Sequence, residues 1–153
     1  MIRKYQPADE DQVLDVWYQA SIIAHHFVPA DFLEQEINVI RKTYLPVSET
    51  WVYEENQQVV GFLSFQEENT IGGLFVAPAW QKQGIGTKLI EYAKSLRPSL
   101  FLNVFKQNEK AQRFYQKCEF KIVEESINQE TGCAQFMMTW QKQPNIVLTG
   151  FMG

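Results

Sequence analysis

Leu74-Phe75-Val76-Ala77-Pro78-Ala79-Trp80-Gln81-Lys82-Gln83-Gly84-Ile85-Gly86-Thr87-Lys88 carries the densest local signal in the chain. Its apolar and aromatic opening stops at Pro78, which cannot donate to a ladder, so it reads as a strand that ends there. Two glycines follow, and Ile85, Leu89, Ala93 and Leu96 then recur at helical spacing, so a helix starts at once. Glycine lets the backbone come close to a bound group, and the unpaired N–H groups and positive dipole of a helix start favour an anion. Lys82 and Lys88 add positive charge. The combination fits a phosphate or pyrophosphate cradle, although a tight glycine turn that binds nothing can carry the same residues. The two rival phosphate motifs are missing. The third glycine or alanine of a dinucleotide fingerprint does not follow Gly86, and no GxxxxGK[ST] occurs.

Outward from this turn, the chain alternates between strand and helix patterns. Ile2 to Gln6 reads as a short strand stopped by Pro7. Val13, Trp17, Ala20 and Ala24 then mark one apolar helical face, and Leu33, Ile37, Ile40 and Tyr44 mark a second, ended at Leu45-Pro46. Trp51 to Tyr53 and Val59 to Phe65 read as a hairpin around a polar turn, and Thr70 to Ala77 as the next strand. Beyond the Gly84 to Leu96 helix come a nearly all-apolar strand at Leu100 to Phe105 and a helix at Glu109 to Cys118. Strands near Phe120 to Ser126 and Cys133 to Trp140 close the series. The order β-α-α-β-β-β-α-β-α-β-β predicts an α/β (α+β) fold, a sheet with helices on its faces. Residues 1–142 then form one domain and 143–153 a C-terminal tail. That tail looks like the opening of a phosphate loop without its lysine, so it is expected to be a loosely held extension.

Length and composition narrow the function. At 153 residues and 45% hydrophobic content the chain suits one domain, and a net charge of −4 argues against a nucleic-acid partner held by general positive charge. No apolar run approaches the ~18 residues of a membrane span, and MIRKYQPADEDQ turns acidic where a signal peptide would turn apolar. Cys118 and Cys133 have neither metal-type spacing nor disulfide density, so structural thiols in a cytoplasmic protein are expected. Trp17, Trp51 and Trp140 fall on core-facing patterns, whereas Trp80 beside the loop is less explained.

Two motifs resemble the GNAT N-acetyltransferases. Gln81-Lys82-Gln83-Gly84-Ile85-Gly86 is similar to the family's Q/R-x-x-G-x-G/A pyrophosphate loop. Asn108-Glu109-Lys110-Ala111-Gln112-Arg113-Phe114-Tyr115, followed by Cys118-Glu119-Phe120, is similar to its N-x-x-A-x-x-F-Y…G-F segment. Glu119 departs from the usual glycine, which puts the shape of that turn in question. The element order matches as well, over about nine tenths of the chain. The resemblance implies the GNAT fold, with a mixed, mostly antiparallel central sheet and helices on both faces. It also implies acetyl-CoA as cosubstrate, no metal, and direct acetyl transfer to a primary amine, either a protein lysine or a small molecule. A non-catalytic acyl-CoA-binding module on the same fold is the alternative. A monomer or homodimer is expected, with no nucleic acid or membrane partner.

The same resemblance distributes roles. Phe75 and Val76 on the strand, Gln81, Lys82, Gln83, Gly84, Ile85, Gly86 and Thr87 in the loop, and Asn108 and Tyr115 downstream are the expected coenzyme contacts. Asn108 and Tyr115 are seven residues apart, close to two helical turns, so one face carries both. Tyr115 is the implied general acid, and a core aromatic pair at Phe114-Tyr115 is the lesser alternative. A backbone N–H near Leu74 to Val76 is the implied oxyanion donor, and Gly72-Gly73 could permit a bulge there. The base stays open between Glu68, or its neighbour Glu67, ahead of the strand and His25 at the end of the first helix. His25 and Phe27 lie where the family shapes its acceptor pocket, and small bacterial YiaC-like members share a His and a Phe there. The His25-His26 pair does not suit a metal, because neighbours on a helix point apart.

Charge divides along the chain. Trp80 to Lys121 holds nine Lys or Arg residues and three Glu, a net of +6, which leaves −10 elsewhere. The basic share falls on the expected coenzyme motifs and the acidic share where a cationic amine would enter.

Overall fold

The computed structural model describes residues 1–143, so the expected tail lies outside the described residues from Pro144 onward. The elements are β1 (Ile2–Lys4), α1 (Glu10–Ala24), α2 (Ala30–Val39), β2 (Glu49–Glu55), β3 (Gln58–Phe65), β4 (Ile71–Val76), α3 (Ile85–Leu96), β5 (Ser99–Phe105), α4 (Glu109–Lys117), β6 (Lys121–Ile127) and β7 (Ala134–Gln141). This is the order expected from the sequence. One local difference is that α2 widens into a π turn at Ile40–Tyr44 before Pro46 stops it.

The strands pair as two antiparallel sheets, β1-β2-β3-β4 and β5-β7-β6. Among the described residues a single parallel bridge, Thr70 to Phe101, joins them, with the Phe101 N–H donating to the Asn69 carbonyl at 2.9 Å. β4 and β5 part directly after Thr70, which divides the central sheet into two antiparallel halves. Gly72 contributes to the parting. The β3–β4 register pairs Ser64 with Gly73 but Phe65 with Ile71, which leaves Gly72 as the extra residue of a β-bulge. A Cβ at Gly72 would stand 2.9 Å from the Gln66 Cβ, so the bulge needs glycine. Arg97 at the end of α3 secures this end of the slot. It donates to the Glu68 carbonyl at 2.6 Å and the Glu49 carboxylate at 2.8 Å, and it lies 4.3 Å over the Phe65 ring.

Alternating residues of the first sheet feed two cores. Val52, Val59 and Phe62 pack beneath Val13, Leu14 and Val16 of α1. Val60, Leu63 and Val76 meet Ile85, Leu89, Ile90 and Ala93 of α3 on the other face, where Leu100, Met138, Tyr115 and Phe120 complete the cluster. Arg3 fastens α1 to the sheet by donating to both Asp9 oxygens at 2.9 Å and to Glu54 at 2.8 Å, which holds the Asp9 carboxyl below its usual range.

The approach of α3 to β3 depends on Gly61. A Cβ there would lie 3.1 Å from the Phe75 carbonyl, 3.3 Å from Ile85 and 3.4 Å from Leu89. Gly61→Val is therefore expected to cost about 1–3 kcal/mol through overpacking. Urea unfolding checks this, and a midpoint equal to wild type would contradict the packing described.

Candidate active site

A groove of about 1020 Å³ occupies the slot where β4 and β5 diverge. Its walls are Ile71–Val76 of β4 and Leu102–Phe105 of β5, with the start of α3 and the face of α4 on one side and the end of α1 on the other. The ladder phase shows what the β4 backbone offers. Ala77 N–H donates to Val60 at 2.8 Å, so in antiparallel alternation Phe75 also faces β3, while the N–H groups of Leu74 and Val76 point away from it, into the slot.

The glycine turn and the helix start form where the sequence places them. Gly84 caps α3 with φ +82°, a left-handed conformation with open space around its absent side chain. The first helical bond runs from Lys88 N–H to Gly84 at 3.0 Å, so the N–H groups of Gly84, Ile85, Gly86 and Thr87 precede the intrahelical ladder. Gly86 has a second task, since a Cβ there would press to 3.2 Å from the Phe114 ring and push α4 off the cradle. Gln81 braces the site by donating to the Val76 carbonyl at 2.9 Å and accepting from Lys110 at 3.2 Å, which ties the end of β4 to α4. Lys82, Arg113 and Lys117 add positive charge around the rim. Gln83 turns away and donates to the Ala79 carbonyl, and it does not line the groove.

Asn108 and Tyr115 both line the groove, as their spacing suggests. Asn108 also has a structural task that the motif does not reveal: its Oδ1 accepts the Ala111 N–H at 3.1 Å as the N-cap of α4. Tyr115 does belong to the core, packed between Phe114 and Phe120, yet it reaches the groove. Burial pushes its hydroxyl well above the ordinary tyrosine range, so it stays protonated at every physiological pH. Glu119 keeps the turn after α4 in the left-handed form a glycine would adopt, with φ +74°. Lys94 supports that turn by donating to the Cys118 carbonyl at 2.7 Å.

The proposed bases part company. Glu68 is exposed on the turn at the bridged end of β4 and does not line the groove, and neither does Glu67. His25 does line it, with its ring edge-on to Phe105 at 5.0 Å, Phe27 at 6.0 Å and Phe75 at 6.5 Å. Phe27 stands behind this cluster, 5.3 Å from Phe105, rather than in the groove lining. Burial among these rings pushes the His25 pKa down to about 4. Sequence reasoning overlooked Asn103, an exposed residue that lines the groove. A lone asparagine in an otherwise apolar strand was its available signal. Asn128 and Gln135, joined by a 3.3 Å hydrogen bond, also line the groove and carried no such signal. Among the described residues no group of three or more His, Cys, Asp or Glu gathers as a metal site, and no helix is long and apolar enough to cross a membrane.

A splayed sheet, a glycine-started helix on one side of the slot and a buried tyrosine within it define an acyltransferase of the GNAT architecture. The family model for the acetyltransferase (GNAT) domain matches residues 46–122, and the chain belongs to that family. It is 33% identical over 140 residues to the peptidyl-lysine N-acetyltransferase YiaC of Escherichia coli, covering 92% of this chain and 96% of that protein. It is also similar to the peptidyl-lysine N-acetyltransferase YjaB of Escherichia coli, at 30% identity over 86% of this chain and 88% of that protein. The solution structure of apo YjaB superposes with a TM-score of 0.82 over 94% of this chain and 98% of that one. An aminoglycoside 6'-N-acetyltransferase complexed with coenzyme A shares the fold, with a TM-score of 0.67 at 16% identity, over 95% of this chain and 98% of that one.

His25 supplies a test of the cluster. A histidine buried as the neutral form binds its proton less well folded than unfolded, so its contribution to stability is present above about 6.5 and falls as pH drops toward 4. Across that window, loss of about 2–3 kcal/mol is expected from this residue. His25→Phe is expected to flatten the slope of unfolding free energy between pH 6.5 and 4. An unchanged slope would place His25 in solvent.

Proposed function

We propose that the protein transfers an acetyl group directly from acetyl-CoA to a primary amine, in the first instance a lysine side chain of a peptide or protein. The observation that carries this reading is the slot itself. It brings outward-facing N–H groups of β4, an anion cradle at the start of α3 and the protonated Tyr115 hydroxyl to one groove. The peptidyl-lysine names of YiaC and YjaB support the acceptor class.

The residues present fit the coenzyme. The N–H groups of Gly84 to Thr87 suit a pyrophosphate, with Lys82, Lys110 and Arg113 supplying charge at the rim. The N–H groups of Leu74 and Val76 suit an amide-bearing arm and a carbonyl oxygen that gains negative charge. Acetyl-CoA supplies an activated thioester whose leaving group is a thiolate. Tyr115 stays protonated and so has a proton to give the sulfur as the C–S bond breaks, to be replaced from solvent afterwards. Asn108, already bound through Oδ1 to its own helix, keeps its amide N–H₂ to offer the groove. His25 is neutral at pH 7 and a weak base, which supports a place in the acceptor wall rather than a proton-accepting role. Glu68 stands outside the groove, so the ammonium proton is left to water.

The test is thiol release from acetyl-CoA with a panel of lysine peptides and small amines. Tyr115→Phe is expected to lower kcat by about 100-fold or more with CoA affinity retained. If CoA binds but no amine in the panel releases thiol, the reading fails. In the same assay Gly86→Val is expected to weaken CoA binding more than it slows turnover at saturation, because its side chain meets Phe114 at the cradle. Unchanged CoA affinity would contradict that placement.

A further inference from the structure

Behind His25 a second recess of about 180 Å³ opens on the acidic side of the molecule. Trp17, Phe32 and Phe105 form aromatic walls, and Glu36 of α2 and Glu130 of the β6–β7 turn supply carboxylates. His25, Phe105 and Asn128 line both this recess and the transfer groove, so the two cavities share a wall. Asn128 also sets the turn, accepting the Glu130 N–H at 3.1 Å and the Thr131 N–H at 2.9 Å.

The two carboxylates are left without a cation. Neither Glu36 nor Glu130 takes part in an ion pair among the described residues. From Tyr5 to Ile40 there are seven Asp or Glu residues and no Lys or Arg, and from Ile122 to Cys133 there are three Glu and again no Lys or Arg. The next cation, Arg41, is already engaged by Glu10 and Asp11. Burial and the neighbouring Glu130 charge raise the Glu36 carboxyl above its usual range, a like-charge cost that a bound cation would offset. Aromatic faces beside carboxylates also suit an ammonium or guanidinium group.

We propose that this recess receives a second positive charge on the acceptor, so that the preferred substrate is a lysine with another basic residue close by in its peptide. The inference rests on the amine acetylation proposed above and names Glu36 and Glu130 as specificity-determining residues. Because His25, Phe105 and Asn128 border both cavities, a residue flanking the acceptor lysine is the part of such a peptide that would come within reach of the recess.

The experiment compares kcat/KM for paired lysine peptides that differ only in one flanking position, arginine against citrulline, using wild type, Glu36→Gln/Glu130→Gln and Glu36→Lys. Wild type is expected to favour the dibasic peptide by about tenfold, the scale of one charge-assisted contact. The double variant should lose that preference while keeping its rate on the citrulline peptide and its acetyl-CoA KM. Glu36→Lys should reverse the preference, toward the citrulline peptide. If wild type acetylates both peptides equally, or if the double variant keeps the wild-type ratio, this inference is overturned while the proposed function stands. If neither peptide nor any other amine is acetylated, the proposed function itself fails.

Discussion

Between β4 and β5 the ladder stops after the Thr70–Phe101 bridge, and the backbone groups beyond it must be accommodated without a neighbouring strand. The bulge at Gly72 and the clamp of Arg97 on the Glu68 carbonyl hold the strands together at one end only. From that constraint follow the groove, the direction of the Leu74 and Val76 N–H groups, and the entry of α3 at the open end. Gly61 and Gly86 let α3 and α4 close around the same opening. Without the parting, those backbone groups would be spent on pairing and no ligand could reach them.

The slot has two unlike sides. On the α3 and α4 side, Lys82, Lys110, Arg113 and Lys117 surround helix N–H groups, so polyanions are drawn there. On the α1 and α2 side the stretch from Tyr5 to Ile40 carries seven Asp or Glu and no Lys or Arg, so cations are drawn there. His25, Phe75 and Phe105 stand between the two fields as an apolar partition. In the proposed reaction such a layout would keep two substrates of opposite charge apart until they meet at the thioester carbon, and the partition would limit the water able to take the acetyl group instead.

Much of this was legible in the residues. Helical spacing at Ile85, Leu89, Ala93 and Leu96, β-branched runs and proline stops recovered the element order, because those signals are local. The cradle was legible for the same reason, since Gly84 and Gly86 act within one turn of helix. Pairing between distant strands was not, so the division of the sheet between β4 and β5 had no signal in the residues. Glu68 illustrates the limit. Nearness in sequence to the slot strand suggested a base, but a strand has two ends, and Glu68 sits at the bridged one. Asn108 shows another limit, for one side chain both caps α4 and faces the groove, and a motif does not separate those tasks. Glu119 shows that a left-handed turn can persist without glycine when a lysine from another helix binds the carbonyl before it.

The parted strands also place two sheet edges inside the fold rather than on its surface. Exposed edges are templates for pairing with other chains, and proteins commonly blunt them with charges, prolines or short lengths. Here the inner edges of β4 and β5 face each other across a cleft walled by helices, which withdraws them from neighbouring molecules. A ligand lying along β4, as proposed, would take the position of the missing strand and join the two sheets where the bridge does not. Occupancy of the cleft and integrity of the fold are thereby one linked equilibrium, and the abundance of the ligand sets how firmly the two halves of the protein are held together.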